Sequence, residues 1–145
     1  MIAIDTNILV YAHRRDSIFH DRASRCVKEQ LNKCTATTGF LWPCLHEFIA
    51  TVTHPKIFKD NPSPLPVAFG QIKKWLRMPG AHLLSETSAH LETLAMQSVA
   101  ARLHGPMIHD ARIAAMCLCH GVDLLWSADR DFTRFPELNT YNPVS

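Results

Sequence analysis

The sequence predicts an α/β fold, a parallel sheet covered by helices on both faces, and three observations carry that reading. Short apolar runs such as Ile2 to Ile4 and Leu124 to Trp126 alternate along the chain with longer segments of helical period. Those runs lack the polar alternation of half-exposed strands, as expected where helices cover both faces of a parallel sheet. Two of them lead into aspartates, Asp5 and Asp129, which places acids beyond the carboxyl ends of strands, where such sheets bind ligands.

Each element follows from its residues. Ile2 to Ile4 is too short for a helix and ends in Asp5-Thr6-Asn7, residue types that cap one, so a strand is followed by a helix. From Ser17 to about Cys34, Ile18, Ala23, Cys26, Val27 and Leu31 share one stripe with charges elsewhere, which predicts an amphipathic helix. A second strand is read at Thr35 to Thr38, ahead of Gly39. Leu41, Leu45, Phe48, Ile49 and Val52 then recur at helical spacing, with Pro43 in the first turn and a stop near His54, before Pro55. Residues 55–66 carry four prolines and read as an exposed excursion within the domain. Val67 to Met78 is helical, with Phe69, Ile72, Trp75 and Leu76 inward and Lys73, Lys74 and Arg77 outward. A third strand at Ala81 to Ser85 and a helix from Ser88, its cap, to Leu103 come next. Gly105-Pro106 breaks that helix, and Met107 to His120 forms another, closed by Gly121. A fourth strand lies within residues 122–127, and an extended piece near Thr140 to Asn142 edges the sheet.

A chain of 145 residues suits one domain, read here as residues 1–145. Hydrophobic residues at 47% and charged residues at 19% are the balance of a globular protein, well away from disorder. No apolar run approaches the roughly 18 to 20 residues of a membrane span, and the first dozen residues carry no export signal. Five cysteines (Cys26, Cys34, Cys44, Cys117, Cys119) form an odd set without framework spacing, which predicts a reducing, cytoplasmic setting. Cys117, Cys119 and His120 lack a second Cys pair, and helical residues two apart point away from each other, so buried thiols are favoured over zinc.

The formal charge is only +2, from 15 Lys and Arg against 13 acids. Five of those acids, Asp5, Glu47, Asp110, Asp129 and Asp131, are expected to converge, leaving a basic body around an acidic pit. That distribution suits a polyanionic partner held by its phosphates. Glu47 has Pro43, Cys44, Ala50 and Thr51 as helical neighbours, a face of small residues that a bulky group can approach. Asp110 lies in the first turn of its helix, where the macrodipole favours a carboxylate. Singly, each acid has an ordinary explanation as cap, solvated position, dipole stabiliser or turn former. Together, the fold brings Asp5, Glu47, Asp110 and Asp129 from four segments to one edge. Like charges about 4 Å apart repel by about 4 kcal/mol at an effective dielectric near 20. They require a cation, and oxygen-only ligands select Mg²⁺ or Mn²⁺ before zinc.

Four ordered motifs add a resemblance that spans nearly the whole chain. Asp5-Thr6-Asn7 after the first strand, W-P-C-L-H-E-F with Glu47, H-D-A-R-I-A-A with Asp110, and S-A-D-R-D-F at 127–132 together resemble the PIN domain, in particular the VapC-type ribonuclease toxins of bacterial toxin–antitoxin pairs. The resemblance implies a three-layer α/β/α fold with strand order 3-2-1-4-5. It also implies a metal-dependent endoribonuclease acting on structured or translation-related RNA, a homodimer, and neutralisation by a small VapB-like antitoxin. The family's acids carry over onto Asp5, Glu47, Asp110 and Asp129, with Asp131 a less regular addition and Thr6, Asn7 and Ser127 as supporting groups. On this reading one or two Mg²⁺ ions, with Mn²⁺ as substitute, are held by Asp5, with Asp110 and Asp129 as direct or water-mediated ligands. Glu47 positions a second ion or the attacking water. The chain departs from the family's pattern in the proline-rich segment and the helix after it.

Two basic regions are candidates for RNA phosphates: Arg14, Arg15, Arg22, Arg25, Lys28 and Lys33, and Lys56, Lys59, Lys73, Lys74 and Arg77. The leading candidates are Arg14, Arg15, Lys73, Lys74 and Arg77. Trp42, Trp75 and Trp126 fall in predicted core elements and are assigned to packing. His46 and His109 each precede a motif acid, and the turn of about 100° per residue aims them away from the site. Two rivals remain. A phosphate-accepting aspartyl enzyme of the haloacid-dehalogenase type needs a second Asp where Asn7 stands, and a receiver domain needs adjacent acids before its acceptor strand. A non-catalytic module that retains the fold and binds RNA or protein is the alternative of another class.

Overall fold

The computed structural model describes residues 1–35 and 37–145. Five strands, β1 (Ile2–Ile4), β2 (Thr38–Leu41), β3 (Ala81–Leu84), β4 (Leu124–Trp126) and β5 (Thr140–Tyr141), form one sheet in the order β3-β2-β1-β4-β5. Every neighbouring pair is parallel, with Ile2 opposite both Thr38 and Leu124, and Ile4 opposite Trp126. The predicted α/β class and strand order are borne out. β1 is the central strand, where the connections turn outward in both directions. A crevice opens beyond the carboxyl end of such a strand, and Asp5 follows directly.

Six helices cover the sheet: α1 (Thr6–His13), α2 (His20–Leu31), α3 (Trp42–Val52), α4 (Leu65–Leu76), α5 (His90–Ala100) and α6 (Ile108–Cys119). Because successive strand residues face opposite sides, Ile4, Phe40 and Trp126 enter a core with α1 to α4. Ala3, Leu41 and Leu125 enter a second core with α6 and the chain's last turns. Three layers result. Gly121 ends α6 at φ +64°, the left-handed position past a helix where glycine is unstrained.

Several boundaries differ from those predicted. β2 lies at Thr38–Leu41 rather than 35–38, and position 36 of that expectation lies outside the described residues. Gly39 belongs to the strand itself, where a Cβ would stand 2.7 Å from Leu84 Cδ1 and 3.1 Å from Met1 Sδ, so a larger residue there would oblige the Leu84 side chain to move. α2 starts at His20 instead of Ser17, which leaves Ile18 outside the helix and 91% exposed. α4 starts at Leu65, two residues early, because Pro64 and Pro66 suit a helix's first turn. That shift leaves Phe69 46% exposed, not inward. α5 runs His90–Ala100, and Ser88 does not cap it; Thr87 Oγ1 accepts from the Ala89 N–H instead. α5 is also inverted in polarity: Leu91, Met96 and Val99 face solvent, while Gln97 is buried.

The proline-rich excursion is held to α1 by buried contacts. Arg14 is buried; its guanidinium donates to both Asp16 oxygens, to the carbonyl and Oδ1 of Asn61 and to Ser63 Oγ, and lies 3.9 Å over the Phe58 ring. His13 adds contacts to Ser63 Oγ at 2.9 Å and Gln71 Oε1 at 3.2 Å. Burial lowers the His13 pKa, with Arg14 and His20 lowering it further against the Gln71 bond.

Candidate active site

The carboxyl end of β1 opens into a cleft of about 700 Å³ lined by Asp5, Glu47, Asp110 and Asp129, together with His46, His109, Tyr11 and Arg112. Asp5 is the buried centre of its polar wall. Its Oδ1 accepts from the Thr6 N–H at 2.8 Å and the Cys44 thiol at 3.6 Å; its Oδ2 accepts from Asn7 Nδ2 at 3.0 Å and Ser127 Oγ at 2.7 Å. Burial raises the Asp5 pKa; the Ser127 and Thr6 bonds oppose that rise and the nearby Glu47 charge adds to it. Burial and the Asp5 charge together push the Cys44 thiol well up, so it serves as a neutral donor. Cys117 is pushed up to about 12 by burial, which agrees with the prediction of an inert thiol.

The supporting residues tie the separate segments together. Thr6 Oγ1 donates to Glu47 Oε2 at 3.0 Å, fixing α3 against α1. Asn7 Oδ1 accepts from the Ala128 N–H at 3.0 Å, and Ser127 Oγ accepts from the Asp129 N–H at 3.0 Å. Asp129 Oδ1 then accepts from the Asp131 N–H at 2.8 Å, which starts a 3-10 turn over Arg130–Arg134. An unbroken chain of hydrogen bonds therefore runs from Glu47 through Thr6, Asp5 and Ser127 to Asp129 and Asp131.

Three carboxylates come together most closely: Asp110, Asp129 and Asp131 each offer an oxygen within 4.8 Å of the others. Asp131 thus joins the cluster more closely than its secondary rank in the sequence suggested, because the 3-10 turn folds it back. Asp5 and Glu47 line the same cleft outside this triad. The Asp110 pKa is raised, first by burial and then by the charges of Asp129, Asp131 and Asp5, with Arg134 opposing. Among the described residues the one ion pair to the triad is Arg134 with Asp131 at 3.7 Å, so the repulsion is largely uncompensated by protein. An all-oxygen donor set with surplus negative charge fits a hard divalent cation and does not fit zinc.

Other expectations change at the rim. His46 and His109 both line the cleft, because α3 presents Pro43, His46, Glu47, Ala50 and Thr51 as one stripe, an arc wide enough to include the neighbour of Glu47. Trp42 opens α3 at 38% exposure, whereas Trp75 and Trp126 are buried at 7% and 8%. Arg14 is not part of the basic surface, since its guanidinium is used inside the protein; Arg15, Lys73, Lys74 and Arg77 are exposed. Arg112, which sequence reasoning missed, is the one Lys or Arg of the lining, and it pairs with Glu86. No local signal marked it, since helical residues two apart point away from each other.

A parallel sheet whose central strand delivers an acid into a cleft of further carboxylates is the architecture of PIN domains, and the chain belongs to that family, whose profile matches residues 2–138. Within it the similar proteins are VapC ribonucleases. Ribonuclease VapC43 of Mycobacterium tuberculosis is 32% identical over 144 residues, covering 99% of this chain and 96% of that protein. Ribonuclease VapC48 of the same species is 28% identical over 141 residues, 97% and 96% of the two chains. Among solved structures, VapBC2 from Rickettsia felis, bound to a promoter DNA fragment, matches with a TM-score of 0.71 at 17% identity over 98% of both chains. The sarcin-ricin-loop-cleaving toxin VapC20 of M. tuberculosis matches at 0.68 and 14% identity, over 92% of this chain and 93% of that one. At those identities the structural matches speak for the fold alone.

Proposed function

We propose that the protein is a Mg²⁺-dependent endoribonuclease toxin of the VapC type, acting on structured or translation-related RNA and neutralised by a VapB-like antitoxin. The observation that carries this reading is that Asp110 and Asp129 line one open cleft with Asp5 and Glu47, while Asp131 closes on Asp110 and Asp129 to complete a carboxylate triad. The names of the VapC relatives add to it. Asp110, Asp129 and Asp131 would hold the ion, with Asp5 near enough to act on Asp110 electrostatically. An ion held there would supply Lewis acidity toward the scissile phosphate.

The remaining work falls to side chains. Asp5 organises the wall, its two oxygens meeting four donors, and it would help hold the ion from the buried side of the cleft. Glu47, held through one oxygen by Thr6, keeps the other to accept a proton from the attacking water. Arg112, paired with Glu86 at the cleft, offsets the acids for an incoming phosphate. The antitoxin reading draws on a second, smaller groove of about 340 Å³ between α1, α2 and α4, lined by Val27, Leu31, Trp75 and Met78 with Lys28 and Lys74 at its edge. The apolar outward face of α5 suits the proposed homodimer, as exposed Leu91, Met96 and Val99 favour burial against a second copy.

The test is cleavage of a mixed RNA pool with Mg²⁺, Mn²⁺ or EDTA, comparing the natural chain with Asp110→Asn. Asp110 is the better target than Asp5, whose substitution also disturbs four hydrogen bonds. Cleavage by the natural chain with Mg²⁺, abolished by EDTA and by Asp110→Asn, is the expected result. Equal cleavage by both chains, or none by either, would leave the non-catalytic binding module as the better account.

A further inference from the structure

Trp42 is the accessible tryptophan of the three, and its place makes that exposure informative. An exposed tryptophan forgoes the burial of some of the roughly 150 to 250 Å² that such a side chain offers. Trp42 does so one helical turn before His46, and the two rings are paired at 5.6 Å between centroids, tilted by 54°. His46 lines the acid cleft beside Glu47. The indole is thereby steadied on the flank of the stripe that α3 lays along the cleft, and 38% of the residue stays exposed. On the helix that carries Asp5 at its N-cap, Tyr11 also lines the cleft and packs on Phe19 at 4.9 Å.

We propose that Trp42, held by His46, is a stacking platform for an unpaired nucleobase adjoining the phosphate in the cleft. In a duplex each base face is already covered by its neighbours; an unpaired base has a free face that stacks on an aromatic ring. Trp42 supplies such a ring against His46, which itself lines the carboxylate cleft. The inference rests on the ribonuclease reading for RNA entering this cleft. It goes beyond that reading in assigning one residue of this chain to base contact.

Because Trp75 and Trp126 are buried, quenching of tryptophan emission by contact with RNA reports chiefly on Trp42. The test titrates the full-length Asp110→Asn chain with a single-stranded RNA oligomer, with the same oligomer made abasic at each position in turn, and with its duplex. The expected result is quenching by the single strand, loss of that quenching at one abasic position, and little response to duplex. Adding Trp42→Ala should weaken single-strand binding by about 5- to 150-fold, the loss expected of one base stack, while Trp42→Phe retains most of the affinity. If Trp42→Ala does not fold, Trp42→Phe and the abasic series carry the test. Equal quenching by duplex and by every abasic oligomer, or unchanged affinity in Trp42→Ala, would overturn the proposal. Divalent-dependent cleavage by the natural chain without quenching defeats this inference alone; quenching without any cleavage defeats the ribonuclease reading alone.

Discussion

Replacing Ser127 with alanine tests the wiring of the acid wall. The hydroxyl is buried, donates to Asp5 Oδ2 at 2.7 Å and accepts from the Asp129 N–H at 3.0 Å. A hydrogen bond to a charged partner contributes about 1.5 to 3 kcal/mol, a neutral one about 1 kcal/mol. Removing one oxygen atom leaves little cavity, so the expected loss is about 2 to 3 kcal/mol at pH 7.5, or about 4 to 12 °C in Tm for a domain of this size. The pH dependence follows from Asp5. Its folded pKa is raised above the ordinary 3.8 by burial, so the stability it contributes is full below 3.8 and declines as pH rises through the folded value. Ser127 is the strongest influence opposing that rise. Without it the pKa climbs further and the variant is penalised most where Asp5 is ionised in the natural chain. Urea denaturation in EDTA at pH 7.5 and at pH 4 should therefore give a difference that shrinks to about 1 kcal/mol in acid. A loss below about 0.5 kcal/mol at pH 7.5, or one that grows on acidification, would refute the account of Asp5 as a buried carboxylate sustained by Ser127.

Three further outcomes are expected. Arg14→Ala should cost about 2 to 3 kcal/mol, since it strands Asn61, Ser63 and Asp16, and limited proteolysis should then cut within residues 55–64. Arg14→Lys should not restore resistance, because one ammonium cannot replace the fork. His13 has a lowered folded pKa, so its contribution is full above 6.5 and is lost as pH falls through the folded value. Stability of the natural chain should decline below pH 6.5 more than that of His13→Gln, measured by urea midpoints; parallel curves would refute that role. Arg112→Ala should weaken RNA binding and reduce the slope of log affinity against log salt by about one, as expected for one lost phosphate contact. An unchanged slope would place Arg112 in a purely structural pair with Glu86.

What the sequence determined by itself was set by local periodicity and by the chemistry of single residues. An apolar triplet ended by capping residues defined β1 and put Asp5 at its exit, and helical spacing alone gave Glu47 its face of small neighbours. The four dispersed acids were legible as one site because an α/β topology gathers the ends of its strands. Tertiary structure decided what each residue meets. β2 slid three residues because Phe40 and Leu41 found opposite cores, a choice that a short apolar run next to a helix leaves open. Asp131 entered the carboxylate cluster through a 3-10 turn, Arg14 turned inward onto the proline-rich segment, and Trp42 stayed outside beside His46. Periodicity fixes a side chain's direction relative to its own element only. Whether that direction leads to solvent, to core or to a cleft depends on the packing of elements remote in the chain.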